Sequence, residues 1–261
     1  GLRGLAYWEI EVTGPCRDLH SGHFGGAVAN PINVLCKMLA GITDSDGRIT
    51  IPHFYDDAEE LSPEERAMMA AVPYDEKAYC DAIGVKALSG EKGYSTIERA
   101  ASRPTFDICG IWGGYTGEGS KTVLPSKAHA KVSCRLIPNQ NYHKITQQFI
   151  DYINTIAPQT VEVKVTPMHG SESYVCPIGI PAYKAAEKGF ALAFGQQPLA
   201  VRRGGSIGVI PIFERVLGLK SVLMGFGLEK NAIHSPNESF ALEMYERGIV
   251  AVVEFYNQYK G

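Results

Sequence analysis

The sequence lacks long hydrophobic runs and any surplus of basic charge. No stretch of about twenty apolar residues occurs, and no basic segment followed by an apolar one opens the chain, so neither a membrane span nor a secretory leader is expected. The formal net charge is -3. Because nucleic acids bind to basic surfaces, we expect no nucleic-acid partner either.

The six cysteines lack the short spacings of metal and redox motifs. No Cys-x-x-Cys occurs, which disfavours zinc ribbons and thioredoxin-like sites. Most of them, including Cys36, Cys109 and Cys134, lie beside apolar residues and are predicted to be small buried side chains rather than disulfides. This usage favours a reducing compartment, and we expect a cytoplasmic protein.

What is present is the composition of an ordinary globular protein. Hydrophobic residues make up 45% and charged residues 20% of 261 positions, which suffices for one large domain or two of average size. Up to residue 166 the hydrophobic pattern predicts an α+β sandwich, with one antiparallel sheet covered by two helices. The predicted strands are 5–13, 106–111, 128–137 and 161–166, and the predicted helices are 32–42 and 142–156.

The pattern changes after residue 180, where helices and short apolar runs alternate. Helices are predicted at 182–194, 207–217 and 242–259, and strands at 198–201 and 221–226. This alternation indicates a parallel or mixed sheet flanked by helices. We therefore predict two domains, 1–170 and 171–261.

An insertion at 43–105 interrupts the first domain. Ser62-Pro-Glu-Glu65 is a capping box that predicts a helix start. The acidic run 56–60 is interpreted as a solvated surface patch. The glycine-rich stretch 113–119 is interpreted as a turn, because no Lys-Ser/Thr follows it as in a phosphate-binding loop.

Two polar loops in the second half carry the chemistry. Arg202-Arg-Gly-Gly-Ser206 is a glycine-rich loop that runs into a predicted helix with Ser206 as its cap, so that backbone N–H groups would face an anion. Ala-Ile-His234-Ser-Pro-Asn-Glu follows a predicted strand. A loop histidine can offer a neutral nitrogen to Zn²⁺, although most loop histidines are plain surface residues.

A third candidate is Arg135, which lies in an apolar strand. An unpaired charge there is costly, so the guanidinium must reach solvent, a protein carboxylate or an anionic ligand. Guanidinium groups bind carboxylates through two parallel hydrogen bonds. A peptide C-terminus is therefore a plausible ligand.

These two loops, together with Asp18-Leu-His20-Ser-Gly-His-Phe-Gly-Gly, resemble the signatures of the M20 metallopeptidases, in particular the carnosinase-like dipeptidases. The resemblance extends over essentially the whole chain. It implies that the first domain is an α+β lid, or dimerisation, domain. It also implies that the second is part of an α/β catalytic domain of the zinc-exopeptidase type.

The resemblance also implies roles for individual residues. His20 would be catalytic, reaching across a homodimer to stabilise the oxyanion of the intermediate. His234 would be a ligand to one of two bridged Zn²⁺ ions, for which Mn²⁺ or Co²⁺ could substitute. Four residues would bind the substrate at or near its terminal carboxylate: Arg135, Thr122, Gly205 and Ser206. His169, from its place near the junction of the two predicted domains, is expected to contact the substrate as well.

Several residues that the family needs have no counterpart here. No His-x-Asp occurs, and the pairs Glu59-Glu60 and Glu64-Glu65 lie inside the lid. We therefore expect a fragment, inactive alone, of an enzyme that hydrolyses dipeptides or short peptides. An M20 aminoacylase or deacylase, or a non-catalytic dimerisation or binding module, are the alternatives.

Overall fold

A four-stranded antiparallel sheet forms the centre of the first part of the chain in the computed structural model, which describes residues 1–259. Its strand order is β3-β5-β1-β6, and a separate two-stranded sheet pairs β2 with β4. The strands are β1 (Gly4–Thr13), β2 (Leu19–His20), β3 (Thr105–Gly113), β4 (Val123–Leu124), β5 (Lys127–Leu136) and β6 (Glu162–Ser171).

Alternation along β1 shows how the sheet is buried. Its even-numbered side chains from Ala6 to Val12 are buried, while the odd-numbered ones are partly exposed. The buried face is covered by two helices, α2 (Pro31–Ala40) and α6 (Tyr142–Ile156), and the Phe149 ring stacks on Trp8 with centroids 4.2 Å apart. A short helix, α1 (Ser21–Phe24), precedes them. The predicted α+β sandwich is confirmed.

The insertion contains three short helices, α3 (Pro63–Ala70), α4 (Glu76–Ile83) and α5 (Thr96–Ser102). Capping boxes begin two of them, one at Ser62 as predicted and one at Ser95. The acidic run 56–60 is largely exposed, as expected.

A buried ion cluster holds the insertion together. Arg103, 1% exposed, donates hydrogen bonds to Glu91, which is 5% exposed, and to Glu60. Burial alone lowers the pKa of Arg103, but the bonds to these two carboxylates raise it above its ordinary value. Because a buried charge without a partner is costly, the segments that carry Glu60, Glu91 and Arg103 are fixed relative to one another.

The last part of the chain is helical. It consists of α7 (Pro181–Phe194), α8 (Val209–Leu217) and α9 (Leu242–Gln258), with a 3₁₀ turn at Glu229–Asn231. A Cβ on Gly189 would lie 2.6 Å from the carbonyl oxygen of Ala251, so glycine allows α7 and α9 to pack closely. The predicted strands 198–201 and 221–226 are wrong. Neither segment forms a strand, because neither pairs along its length with another part of the described chain.

The cysteine prediction is correct in one part and wrong in another. All six thiols are free, and Cys134 is fully buried, which raises its pKa. Cys36 and Cys109 are exposed, because Cys36 lies on the outer side of α2 and Cys109 at a bulge of the edge strand β3.

Within residues 1–259 no helix combines the length and apolar content needed to cross a membrane. The domain division at 170/171 stays a prediction, and residues 260 and 261 lie outside the described residues.

Candidate functional site

The first group of candidate residues lies where β1 ends. His20 in β2 pairs with Val123 in β4, and the backbone N–H of Ser21 donates to the carbonyl of Thr122 at 3.0 Å. Gly14, just after β1, donates to Ser126, just before β5. The structure thus places Thr122 beside His20, whereas the resemblance suggested a place near Arg135.

The His20 ring has a defined hydrogen-bonding direction. Its Nδ1 accepts the backbone N–H of Gly22 at 3.0 Å, which caps α1. In the neutral imidazole the proton therefore resides on Nε2, which is left as a donor. The side chains of His20 and Thr122 are both exposed. In one protomer this end of the sheet presents an oriented hydrogen-bond donor to solvent.

Asp18 fixes the loop that leads to His20. Its carboxylate accepts the backbone N–H of Ser126 at 2.8 Å, and the hydrogen bonds from Ser126 lower the pKa of Asp18. The rings of His20 and His23 lie 4.7 Å apart. His23 thus contacts the candidate catalytic ring directly, consistent with a supporting role.

The second group lies at the opposite end of the sheet. Arg135 Nη1 donates to the Ser206 hydroxyl at 2.8 Å, although the two residues are 71 positions apart in sequence. Within residues 1–259, Arg135 has no carboxylate within ion-pair distance, and Ser206 is its side chain's hydrogen-bond acceptor. Its remaining guanidinium N–H groups are available to an anion.

Ser206 does not cap a helix, contrary to the prediction. The helix α8 begins three residues later, at Val209, and Gly208 occupies the N-cap position. The Ser206 hydroxyl instead donates to the backbone carbonyl of Arg3 at 2.7 Å while it accepts from Arg135. The serine therefore connects the loop to the start of β1 and orients one guanidinium group.

The two glycines before Ser206 have different surroundings. A Cβ on Gly204 would overlap the carbonyl oxygen of Ala100 at the end of α5, whereas a Cβ on Gly205 would have no atom within 4 Å. Gly204 is therefore required by packing. Gly205 is exposed and leaves open space next to Ser206.

His169 lies on the same sheet face as Arg135. β6 continues past the predicted end at 166, and the His169 ring stacks on Tyr7 with centroids 5.1 Å apart. Tyr7 and Leu5 point to one face of β1, and Leu5 is opposite Arg135. Since β1 separates β5 from β6, and His169 is two residues along β6 from the position level with Arg135, the two residues lie about 12 Å apart across the sheet.

The two groups are separated by the length of β1. Arg135 is opposite Leu5 and Lys127 is opposite Thr13, eight residues further along the strand. At a rise of about 3.3 Å per residue this distance is about 26 Å. Within the described residues, no hydrogen bond or ring contact joins one group to the other.

His234 belongs to neither group. It is exposed in a loop where its φ of 62°, with those of Ala232 and Asn237, lies in the left-handed region. Its backbone N–H donates to Glu238. Among residues 1–259, no three histidine, cysteine, aspartate or glutamate side chains come together as metal ligands, so the described residues do not form a complete metal site.

Comparison with known proteins decides the family. Residues 1–161 match the peptidase dimerisation domain of the M20 family. The chain belongs to the M20 peptidase family. The sheet with its two covering helices is accordingly the fold of that dimerisation domain, and the resemblance found in the loops is confirmed.

Metallopeptidases of known name align along nearly the whole chain. It is 30% identical over 252 residues to Cys-Gly metallodipeptidase dug1 of Schizosaccharomyces pombe, covering 95% of this chain and 53% of that protein. Human carnosine dipeptidase 1 superimposes with a TM-score of 0.84 at 26% identity, covering 98% of this chain and 55% of that one. The M20 family metallo-carboxypeptidase Sso-CP2 from Sulfolobus solfataricus gives 0.89 at 28% identity, covering 99% and 59%. The chain spans about half the length of the curated relatives it matches.

One residue of the second group was missed from sequence. Arg3 donates through Nε to the carbonyl of Gly204 at 3.1 Å and through Nη1 to the carbonyl of Arg103 at 2.9 Å. Burial, and then the nearby charge of Arg135, lower the pKa of Arg3 to about 10. No local pattern could indicate this role, because the contacts join positions about 100 and 200 residues apart.

We predict that Gly204→Ala destabilises the M20 fold and Gly205→Ala does not. The methyl group at 204 has to displace the Ala100 backbone, which costs about 1–3 kcal/mol as overpacking usually does. The free energy of unfolding from urea titration measures the difference, with Gly205→Ala as the matched control. Equal stabilities of the two variants would contradict the packing described here.

Proposed function

We propose that this chain is the dimerisation domain and the last part of the catalytic domain of an M20 metallodipeptidase. Its role is to bind the carboxylate terminus of a dipeptide or short peptide at Arg135 and Ser206. The single observation that carries the proposal is the Arg135–Ser206 pair, in which a guanidinium that has no carboxylate partner among residues 1–259 is fixed beside an open glycine. Such a fork fits a free carboxylate.

The complete site is proposed to contain residues from two protomers. A dipeptide is only about 7 Å long, whereas Leu5 and Thr13, which mark the two groups along β1, are about 26 Å apart. Within one chain, Arg135 and Ser206 can therefore bind a carboxylate but have no His20 nearby. His20, in turn, has no carboxylate-binding pair nearby. A second copy that brings its His20 and Thr122 to the first copy's Arg135 supplies both, which supports a homodimer.

The edge strand β3 offers a way to form that dimer. Its outer edge has no partner strand among residues 1–259, and Ile108, Ile111 and Trp112 are each more than 40% exposed. At one end of β3, Thr105 is opposite Arg135, and at the other Gly113 is opposite Ala128, near the His20 end. Antiparallel pairing of β3 with its copy would set the His20 end of one protomer beside the Arg135 end of the other.

In this arrangement four residues have defined tasks. Arg135 binds the substrate carboxylate, and Ser206 orients the guanidinium. The Nε2–H of the partner's His20 donates to the oxyanion that develops when the peptide carbonyl is attacked. His169, on the same sheet face as Arg135, is proposed to contact the body of the substrate.

The metal requires ligands beyond those described. The names of the relatives as metallodipeptidases support a metal, which we propose to be two zinc ions in the full-length protein, with manganese or cobalt as substitutes. His234 is proposed as one ligand, and the three left-handed residues of its loop favour a functional loop. Because the described residues do not form a complete site, we assign water activation to none of them and expect the chain alone to be inactive.

The exposed apolar surface of the last helices supports a longer parent protein. On α9, five exposed apolar side chains recur every three or four positions and therefore share one helix face: Leu242, Tyr245, Ile249, Val253 and Tyr256. Contiguous apolar patches of this kind are normally covered. We propose that the remainder of the parent enzyme packs here. The free thiols support our proposal of a cytoplasmic enzyme.

One other function is favoured by a specific observation. The likeness to Sso-CP2 favours a carboxypeptidase, which needs the same carboxylate clamp but accepts longer peptides. A substrate series of increasing length separates it from a dipeptidase. A deacylase, or a non-catalytic module, would be indicated if no peptide of the series were hydrolysed.

We predict that His20→Ala in the full-length enzyme lowers kcat about 10²- to 10³-fold, as loss of an oxyanion donor does. Bound zinc, measured by elemental analysis, should not change. His53→Ala is the control, because His53 is an exposed histidine of the insertion that pairs with Asp56. A His20→Ala enzyme with the wild-type kcat would refute the oxyanion role.

We also predict that Ile108→Lys produces monomers and abolishes activity, because a lysine on an edge strand opposes pairing with another strand. Ile83→Lys is the matched control, since Ile83 is 55% exposed on α4 in the insertion. Sedimentation equilibrium of the full-length enzyme gives the mass of each variant. A dimeric Ile108→Lys variant would exclude β3 as the interface.

A further inference from the structure

Arg3 is surrounded by carbonyl oxygens from two distant segments. Its guanidinium donates to Gly204 in the substrate-clamping loop and to Arg103 and Arg99 at the end of α5. Its backbone N–H donates to Gly205 at 3.2 Å, and its carbonyl accepts from the Ser206 hydroxyl. One residue therefore contacts all three positions of the Gly204-Gly205-Ser206 loop.

The end of α5 suits a cation. Carbonyl groups in the last turn of a helix have no partner within the helix and form the negative end of its dipole. α5 is itself held by its Ser95–Glu98 capping box, by the Arg66–Glu98 ion pair at 2.6 Å and by the buried Arg103–Glu91 pair. The acceptors of Arg3 therefore occupy fixed positions.

A second contact attaches the same loop to the insertion. Arg202, whose side chain is 10% exposed, donates to the carboxylate of Glu65 in the first turn of α3. Glu65 is also the acidic member of the capping box at Ser62. The loop is thus held on one side by α3 and on the other by α5.

We propose that Arg3 is a positioning residue for carboxylate recognition, holding the Gly204–Ser206 loop against α5 so that Ser206 presents Arg135 to the substrate. This inference rests on the proposed function of Arg135 and goes beyond it by assigning a task to the insertion. Residues 43–105 form the rigid support of the carboxylate clamp. They do so without contributing a side chain to the substrate.

The role differs from a merely structural one in what it predicts. If Arg3 only stabilised the fold, its loss would affect all substrates equally. If it positions Ser206 and Arg135, its loss affects substrates with a free carboxylate more than substrates in which an amide replaces it. The discriminating quantity is the ratio of kcat/KM for a dipeptide to that for its C-terminal amide.

The experiment measures this ratio in the full-length enzyme. We expect Arg3→Gln to lower it about tenfold, mainly through a higher KM for the free dipeptide, and Arg3→Lys to lower it less, because lysine cannot donate to both Gly204 and Arg103 through a rigid fork. Lys77→Gln is the control. Lys77 pairs with Asp81 on the surface of α4 in the same insertion and contacts neither the loop nor α5, so its loss should leave the ratio unchanged.

Each outcome decides between the two proposals. If Arg135→Ala leaves the ratio at the wild-type value, the carboxylate clamp itself is wrong, and the role of Arg3 falls with it. If Arg135→Ala lowers the ratio but a folded Arg3→Gln does not, only the role of Arg3 is refuted. Should Arg3→Gln fail to fold, Arg3→Lys decides in the same way, a wild-type ratio refuting the proposal.

Discussion

The length of the central strand β1 is the constraint on which the rest depends. Antiparallel pairing at ten positions with β5 and at eight with β6 holds β1 extended, so that Leu5 and Thr13 lie about 26 Å apart, and each end carries one half of the chemistry. A short peptide cannot reach from one to the other. The same sheet that gives the domain its core therefore makes a single protomer incomplete, and it leaves an edge strand through which a second protomer can complete it.

The placement of positive charge at the Arg135 end favours an anionic ligand. Two guanidinium groups, Arg3 and Arg135, lie close enough that one lowers the pKa of the other, and neither is paired with a carboxylate within residues 1–259. Arg3 is satisfied by backbone carbonyls, which fix its position while leaving its charge uncompensated. Arg135 has one hydrogen bond and several free N–H groups. An anionic ligand is the natural complement to this pair.

Sequence patterns predicted those elements that depend on residues only a few positions apart. Alternation predicted β1, and the capping box at Ser62 predicted a helix start, because caps and periodicity depend on neighbours within a few residues. The motifs also identified Arg135 and Ser206 separately, and the structure brings them to 2.8 Å. The resemblance, rather than any pattern, supplied their shared role.

What could not be predicted depends on distant partners. Segments 198–201 and 221–226 have strand-like composition, but a strand forms only where another backbone pairs with it. Serine is a common helix cap, yet the Ser206 hydroxyl forms hydrogen bonds with Arg3 and Arg135, which are far away in sequence. Cys109 is apolar in its local context and exposed because β3 is an edge strand. Thr122 lies beside His20 rather than beside Arg135 of the same chain for the same reason, since the β2–β4 pairing decides its neighbour.

Subunit complementation tests the shared site most directly. His20→Ala and Arg135→Ala full-length enzymes, each nearly inactive at low dipeptide concentration, are mixed in equal amounts and allowed to exchange subunits. If each site takes His20 from one protomer and Arg135 from the other, half of the dimers are mixed and each mixed dimer has one intact site. Activity should then recover to about one quarter of the wild-type value. No recovery, with mixed dimers demonstrably present, would mean that both residues serve the same protomer and would contradict the account.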